Sequence, residues 1–149
     1  MTSRSPLLQR LLRDSHGTAV IEFAIASPIL MLLTVGVLKF GLVASQHVML
    51  THAAAQAAST FSLSRGTSTP YTTAVSAITG AAPALKAASI GKVVKVNGTT
   101  CATDTACSSL LSAGASAQVQ VTYACDLSVM GVDFRPGCTL TASSAQMIQ

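Results

Sequence analysis

The feature that most constrains this chain is a long apolar run near its N-terminus. Residues Thr18 to Leu38 read TAVIEFAIASPILMLLTVGVL and carry one charged side chain, Glu22. At about 1.5 Å of rise per residue, a helix of this length spans the roughly 30 Å hydrocarbon core of a bilayer. The run is also longer than the roughly 7–15 apolar residues of a usual secretory signal. It therefore predicts one membrane-spanning helix.

The basic residues on either side of the run predict its orientation. Three arginines precede it within residues 4–13, whereas Lys39 is the only basic residue after it before Arg65. Because basic residues are retained on the cytoplasmic side, the N-terminus is predicted to lie in the cytoplasm and the chain from about residue 40 onward outside it. A secretory signal cleaved near residues 43–45 is the alternative, which the length of the run and its carboxylate disfavour.

Glu22 lies within this run, where a carboxylate costs on the order of 2–3 kcal/mol. No Lys or Arg lies three or four residues away from it. Cleavage between Gly17 and Thr18 would create a cationic α-amine one helical turn from Glu22, and this amine could pair with the carboxylate of its own chain or of a neighbour. The alternative is a carboxyl group that reaches the interface or stays protonated.

The residues around this site resemble a type IV prepilin cleavage site and, more specifically, the TadE-like pseudopilins of the Flp/Tad (type IVb) pilus. The string HGTAVIEFAIASPILMLL follows a short leader that contains arginine. The family signature has the form G-x-x-x-x-E-F-A, followed by a proline inside the apolar helix. The matching residues here are Gly17, Glu22, Phe23, Ala24 and Pro28.

The resemblance implies a minor pseudopilin that a prepilin peptidase cleaves between Gly17 and Thr18. It implies a part in assembling a pilus for adhesion or secretion, with Glu22, Phe23 and Pro28 as assembly residues. The implied partners are the major Flp pilin, other minor pseudopilins, the inner-membrane assembly platform and membrane lipid. The alternative is an unprocessed single-pass protein that serves as an extracytoplasmic envelope or binding protein.

Pro28 lies inside the predicted membrane helix. Proline has no amide hydrogen and its ring clashes with the carbonyl four residues earlier, so the helix is expected to kink or loosen there. Such a weak point could let the helix adapt as subunits leave the bilayer. Proline is also simply tolerated in membrane helices, and both interpretations stay open.

The rest of the chain divides by its patterning. Residues 1–17 form the predicted leader, residues 18–64 one continuous helix, residues 65–91 an Ala-rich linker with one or two helical turns, and residues 92–149 a β-rich head. A strand over 92–98 ends in an Asn-Gly turn, residues 118–125 alternate strictly, and a weaker strand covers 138–148. The predicted fold class is α+β and pilin-like, with a long N-terminal membrane-spanning helix followed by a small disulfide-stapled antiparallel β-sheet head.

Small residues recur at four-residue spacing in the second half of the predicted helix. The pairs are Gly41 with Ser45, Ala53 with Ala57, and Ala54 with Ala58. Such spacing lets a helix approach its neighbour closely. That neighbour is either a helix of another subunit or the protein's own head, and the sequence leaves both possibilities open.

Four cysteines lie in the predicted head: Cys101, Cys107, Cys125 and Cys138. Four cysteines in a small exported domain predict two disulfides with three possible connectivities. The favoured pairing is the local one, Cys101–Cys107 and Cys125–Cys138, with roughly 2–3 kcal/mol of stabilisation per bridge in the chain-entropy model. A Cys₄ zinc site is disfavoured, because the C-x₅-C and C-x₁₂-C spacings do not match the usual zinc motifs.

Catalysis, metal binding and nucleic-acid binding are all disfavoured. The predicted head has three carboxylates and no histidine, so Ser–His–Asp and Cys–His arrangements lack their base. His47 and His52 are five residues apart and do not share a helix face. The net charge of +4 is scattered, without a basic stripe. No enzyme activity, cofactor, metal, nucleic acid or small-molecule substrate is therefore expected.

Overall fold

The computed structural model describes residues 16–129 and 131–149, with side chains placed from Ala19 onward. The leader predicted for residues 1–17 therefore lies outside the described residues, apart from the backbone of its last two. Two compact units divide the chain between Lys39 and Phe40.

The first element is one helix, α1 (His16–Ser62), with Pro28 inside it. Its continuity past the apolar run follows from the Ala-rich sequence, which has good helix propensity. Hydroxyl groups close its C-terminal end: Ser62 Oγ donates to the Ser59 carbonyl at 2.8 Å and Ser64 Oγ to the Thr60 carbonyl at 2.7 Å. Gly66, at φ +82°, then turns the chain away from the helix axis.

The segment after α1 is more helical than predicted. Helix α2 (Pro70–Ala81) begins with proline at its first turn, where the missing amide hydrogen costs nothing. Gly80 falls in the last turn of α2 and so does not interrupt it. A short 3₁₀ turn (Ala87–Ser89) follows and leads into the sheet.

The described residues of the head form six strands and one further helix. The strands are β1 (Ile90–Val96), β2 (Thr99–Cys101), β3 (Ser116–Ala124), β4 (Ser128–Val129), β5 (Val132–Asp133) and β6 (Thr139–Met147). Four of them form an antiparallel sheet in the order β2-β1-β3-β6, while β4 and β5 form a small separate hairpin. This architecture confirms the predicted α+β class with an antiparallel sheet and two disulfides.

The turn between β1 and β2 is the predicted Asn-Gly turn. Asn97 and Gly98 both have positive φ, 49° and 83°, which a two-residue hairpin turn of this kind requires. The Asn97 side chain also accepts a hydrogen bond from the Ser116 amide at 2.8 Å, which ties the turn to the start of β3.

Alternation along the strands places one face of the sheet in the core. Val94 on β1 lies directly opposite Val119 on β3, and both are fully buried. Residues from the second half of α1 and from α2 complete this core. Its largest fully buried apolar side chains include Phe61, Leu50, Ile78, Val94, Val119 and Val121.

Helix α3 (Asp104–Leu110) was missed by the sequence analysis. It spans seven residues and begins after Thr103, whose hydroxyl accepts a hydrogen bond from the Ala106 amide at 3.3 Å. Its core contact is Cys107, which is fully buried and joined to Cys101 on β2. The second disulfide joins Cys125 to Cys138, with 5.2 Å between the Cα atoms in each bridge.

Candidate membrane and assembly site

The first part of α1 carries large apolar side chains that nothing in its own unit covers. A soluble helix would bury such side chains along one face. Within the described residues of this segment they are exposed on every side of the helix. The list comprises Val20, Ile21, Phe23, Ile25, Ile29, Leu30, Met31, Leu32, Leu33, Val37 and Leu38.

An all-round apolar surface of this kind is stable in lipid, where backbone hydrogen bonds must be satisfied within the segment itself. Among the described residues, α1 is one helix long and apolar enough to cross a membrane. Thr34 fits the same environment, because its hydroxyl donates to the Leu30 carbonyl at 2.7 Å. Its polar group is therefore satisfied within the helix.

The predicted assembly residues lie together on this segment. Glu22 and Phe23 are exposed, and Pro28 is exposed about a turn and a half further along. The Glu22 carboxylate forms no hydrogen bond or ion pair with another described side chain. Glu22 thus places a carboxyl group on an otherwise apolar surface.

The predicted processing site lies at the beginning of α1. Gly17 and Thr18 have helical backbone, since the helix starts at His16. The side chain of Thr18 lies outside the described set. Thr18 precedes Glu22 by four residues, so the backbone of the proposed new N-terminus lies one helical turn from Glu22.

The spacing of small residues in the second half of α1 allowed packing either on another subunit or on the protein's own head. Burial of the alanines distinguishes these two possibilities. Ala53, Ala54, Ala57 and Ala58 are completely buried, and they lie in the core of the chain's own head. The Ala pairs therefore pack against the head. Gly41 and Ser45 are exposed, and nothing within 4 Å would meet a Cβ added at Gly41.

Asp104 has a structural role that the sequence analysis did not identify. Its two carboxylate oxygens accept hydrogen bonds from the Thr72 amide at 2.9 Å and the Thr72 hydroxyl at 2.6 Å. Asp104 thus caps the first turn of α2 from a separate helix, where the helix dipole favours negative charge. These hydrogen bonds, the Thr72 hydroxyl first, lower the pKa of Asp104 below its ordinary value of 3.8. The spacing of 32 residues leaves no local sequence signal for this pairing.

The other two aspartates of the head stabilise turns. Asp126 accepts hydrogen bonds from the Ser128 amide and hydroxyl, and Asp133 accepts one from the Arg135 amide. Within the described residues no group of three His, Cys, Asp or Glu side chains could hold a metal ion. A shallow open groove between α1 and α2 is lined by His52, Gln56, Ala77, Gly80 and Ala81. It contains no cluster of ionisable groups.

Among the described residues between Cys125 and Cys138, two large apolar side chains are exposed. These are Val132 and Phe134, carried by β5 and the residue following it. The sequence alone predicts this segment only as a loop closed by a disulfide. A phenylalanine close to three turn-forming residues, Gly131, Pro136 and Gly137, is the signal that could have identified an exposed apolar tip.

Comparison with known proteins finds a family match near the N-terminus of the chain. No curated protein and no solved structure matches the chain. Residues 17–59 match the family model described as TadE-like protein. The matched range starts at the predicted cleavage glycine and ends within the buried half of α1. Over residues 17–59, therefore, the chain is similar to TadE-like proteins, as the residues from Gly17 to Pro28 predict.

Proposed function

We propose that this protein is a minor pseudopilin that takes part in assembly of a Flp/Tad-type (type IVb) pilus. It is anchored in the inner membrane by the first part of α1, with a cytoplasmic N-terminus and an extracytoplasmic head. The observation that carries the proposal is the TadE-like match over residues 17–59, which coincides with a helix of membrane-spanning length and exposed apolar surface. Its partners would be the major Flp pilin, other minor pseudopilins and the assembly platform.

The cysteines support the location of the head. All four are paired in disulfides, and the described residues contain no free thiol. Disulfides persist in the periplasm and at the cell surface, whereas the cytoplasm keeps most thiols reduced. A head of this chemistry belongs on the side of the membrane opposite to the arginines of residues 4–13.

The proposed role is structural rather than catalytic. The three carboxylates of the head, Asp104, Asp126 and Asp133, all accept hydrogen bonds from backbone amides. They cap a helix or close turns, and no histidine lies beside them in the sequence of the head. Such carboxylates are not arranged for acid–base chemistry, which needs a proton donor or acceptor directed at a substrate.

Cleavage between Gly17 and Thr18 distinguishes a pseudopilin from an unprocessed membrane-anchored envelope protein. The full-length chain is produced with a prepilin peptidase, and its N-terminus is determined by mass spectrometry. We expect the mature protein to begin TAVIEF. Gly17→Leu should block cleavage by placing a side chain at the scissile bond. Gly36→Leu is the matched control, because nothing within 4 Å would meet its Cβ, and it should be cleaved normally. An intact N-terminus, in cells where the peptidase cleaves its pilin substrate, would contradict the proposal.

Glu22 is proposed to act after cleavage. When a subunit packs beside its neighbours, the α-amine of Thr18 loses water and needs a counter-charge, which Glu22 of a neighbouring subunit can provide. The same pairing would fix the axial register between helices. Because the two groups are one turn apart in a single chain, part of this attraction is also satisfied within the subunit.

The test of this role compares Glu22→Gln with Glu22→Asp, which keeps the charge. Glu22→Gln should insert into the membrane and be cleaved like the wild type, but it should form fewer surface pili. Glu22→Asp should restore pili at least in part. Wild-type numbers of sheared pili from Glu22→Gln would show that the charge pairing has no part in assembly. Phe23 and Pro28 complete the proposed assembly segment, and Pro28→Ala would test whether assembly needs the weak point in the helix.

A further inference from the structure

The two edges of the four-stranded sheet differ in how they are protected. At one edge, β2 has three residues, and the Cys101–Cys107 disulfide ties it to α3. Lys92 and Lys95 also lie near this edge, on β1. Short strands, nearby charges and covering helices are the usual means by which proteins prevent edge-to-edge pairing.

The opposite edge, β6, has none of these protections. It spans nine residues and pairs with β3 along its whole length in an uninterrupted register. Residues 139–149 contain no proline and no charged side chain. Exposed edge strands with these properties are templates for pairing with another strand.

The hydrogen bonds show which backbone groups of β6 are unpaired. The Ile148 amide donates to the Ala115 carbonyl at 2.9 Å, and the Cys138 carbonyl accepts from the Cys125 amide at 3.0 Å. Even-numbered residues therefore face β3, and odd-numbered residues direct their N–H and C=O groups away from the sheet. The outward residues are Thr139, Thr141, Ser143, Ala145 and Met147, and all five are exposed.

We propose that β6 is an association edge at which two copies of this chain pair their β6 strands antiparallel, about a two-fold axis at Ser143. Donors and acceptors that repeat every second residue are complementary to an extended backbone. The five outward residues are spaced symmetrically about Ser143, so a second β6 strand pairs with all of them. In this register Ser143 faces itself, Thr141 faces Ala145, and Thr139 faces Met147.

Charge favours a second copy as the occupant. Residues 40–149 carry five basic and three acidic side chains, so contacts between the charged surfaces of two copies would bring positive charges together. The β6 pairing avoids this cost, because no charged residue lies on the strand and no like charges are opposed. The facing side chains are also small near the axis, where serine meets serine and threonine meets alanine.

Cysteine substitutions in the full-length protein test the pairing in its own membranes. Cα atoms of a directly opposed hydrogen-bonded pair lie about 5.5 Å apart, within the range of a disulfide. Ser143→Cys should therefore form a reducible dimer. Ala145→Cys should not, because its counterpart lies about 14 Å away, four residues along the strand. Combining Thr141→Cys with Ala145→Cys should restore the dimer.

Ser143→Pro provides an independent readout in the Thr141→Cys/Ala145→Cys background. It removes an outward N–H and leaves the hydrogen bonds to β3 intact, which proline at an edge permits. We expect loss of the cross-linked dimer while the native disulfides Cys101–Cys107 and Cys125–Cys138 still form. No dimer from Ser143→Cys, equal dimer from Ala145→Cys alone, or a dimer unaffected by Ser143→Pro would each overturn the proposal. If β6 instead binds a strand from a different protein, Ser143→Cys should form no dimer.

Discussion

The two parts of α1 share one secondary structure and differ in what surrounds their side chains. Phe40 is 71% exposed, whereas Phe61, on the same helix, is completely buried in the head. In residues 19–38 the large apolar side chains are exposed, and the proposed lipid environment would cover them. In residues 50–61 one leucine, four alanines and one phenylalanine are buried by the chain itself. The comparison shows that apolar character predicts a need for burial without identifying what provides it.

The largest effect expected from this comparison comes from shortening Phe61. Phe61→Ala should lower the free energy of unfolding of the head by about 3–5 kcal/mol, because it leaves a cavity in the core. Phe40→Ala, the same change at an exposed position of the same helix, should change it by no more than about 0.5 kcal/mol. Denaturant unfolding of the detergent-solubilised protein measures both. An equal loss of the free energy of unfolding in both variants would show that Phe61 is no better buried by the chain than Phe40.

Two alanines of α1 test the same comparison, with a smaller expected change in stability. Ala57 is fully buried and Ala55, half a turn away, is exposed. Ala57→Leu should destabilise the head by about 1–3 kcal/mol through overpacking. Ala55→Leu should be nearly neutral. Thermal unfolding of the two variants measures the difference, and a neutral Ala57→Leu would show that the helix and the head are not closely packed.

The smallest expected change in stability comes from removing the cap that Asp104 provides for α2. Since Thr72 lowers the pKa of Asp104 in the folded state, the carboxylate contributes stability above its unfolded pKa of about 3.9, and this contribution is lost as pH falls through the folded value. Asp104→Asn should therefore be less stable than the wild type at neutral pH, and the difference should vanish under acid conditions.

Thr72→Val is the control for this cap, because it removes the hydroxyl and keeps the backbone amide. The pKa of Asp104 should then move back toward its ordinary value, as measured by NMR titration. An unchanged pKa would show that the Thr72 hydroxyl does not stabilise the carboxylate.

The sequence predicted elements whose signals are local. The apolar run predicted the first part of α1, the Asn-Gly pair predicted the turn after β1, and alternation predicted the face of β3 that carries Val119 and Val121. Each of these signals depends on residues within one element or one turn. The TadE-like signature is local in the same sense, because it lies within one helix and its start.

The features that the sequence did not predict depend on contacts between distant residues. The hydrogen bonds between Asp104 and Thr72 join two helices, and α3 is too short for a helical pattern to be recognisable. Its seven residues are held by the Thr103 cap and by the disulfide at Cys107. Likewise, the spacing of Ala53 and Ala57 allowed either packing partner, and only the placement of the head distinguishes them.

The central claim is that residues 19–38 lie in lipid. The accessibility of spin labels to oxygen and to a water-soluble nickel chelate tests it most directly. Leu33 and Leu63 are similarly exposed, at 58% and 65%, and lie on either side of the proposed membrane boundary. Each is replaced by cysteine and labelled in the protein reconstituted into lipid vesicles, since the native cysteines are already paired. The account predicts that a label at residue 33 is accessible to oxygen but shielded from a water-soluble nickel chelate, and that a label at residue 63 shows the reverse. Equal access of the nickel chelate to both labels would contradict it.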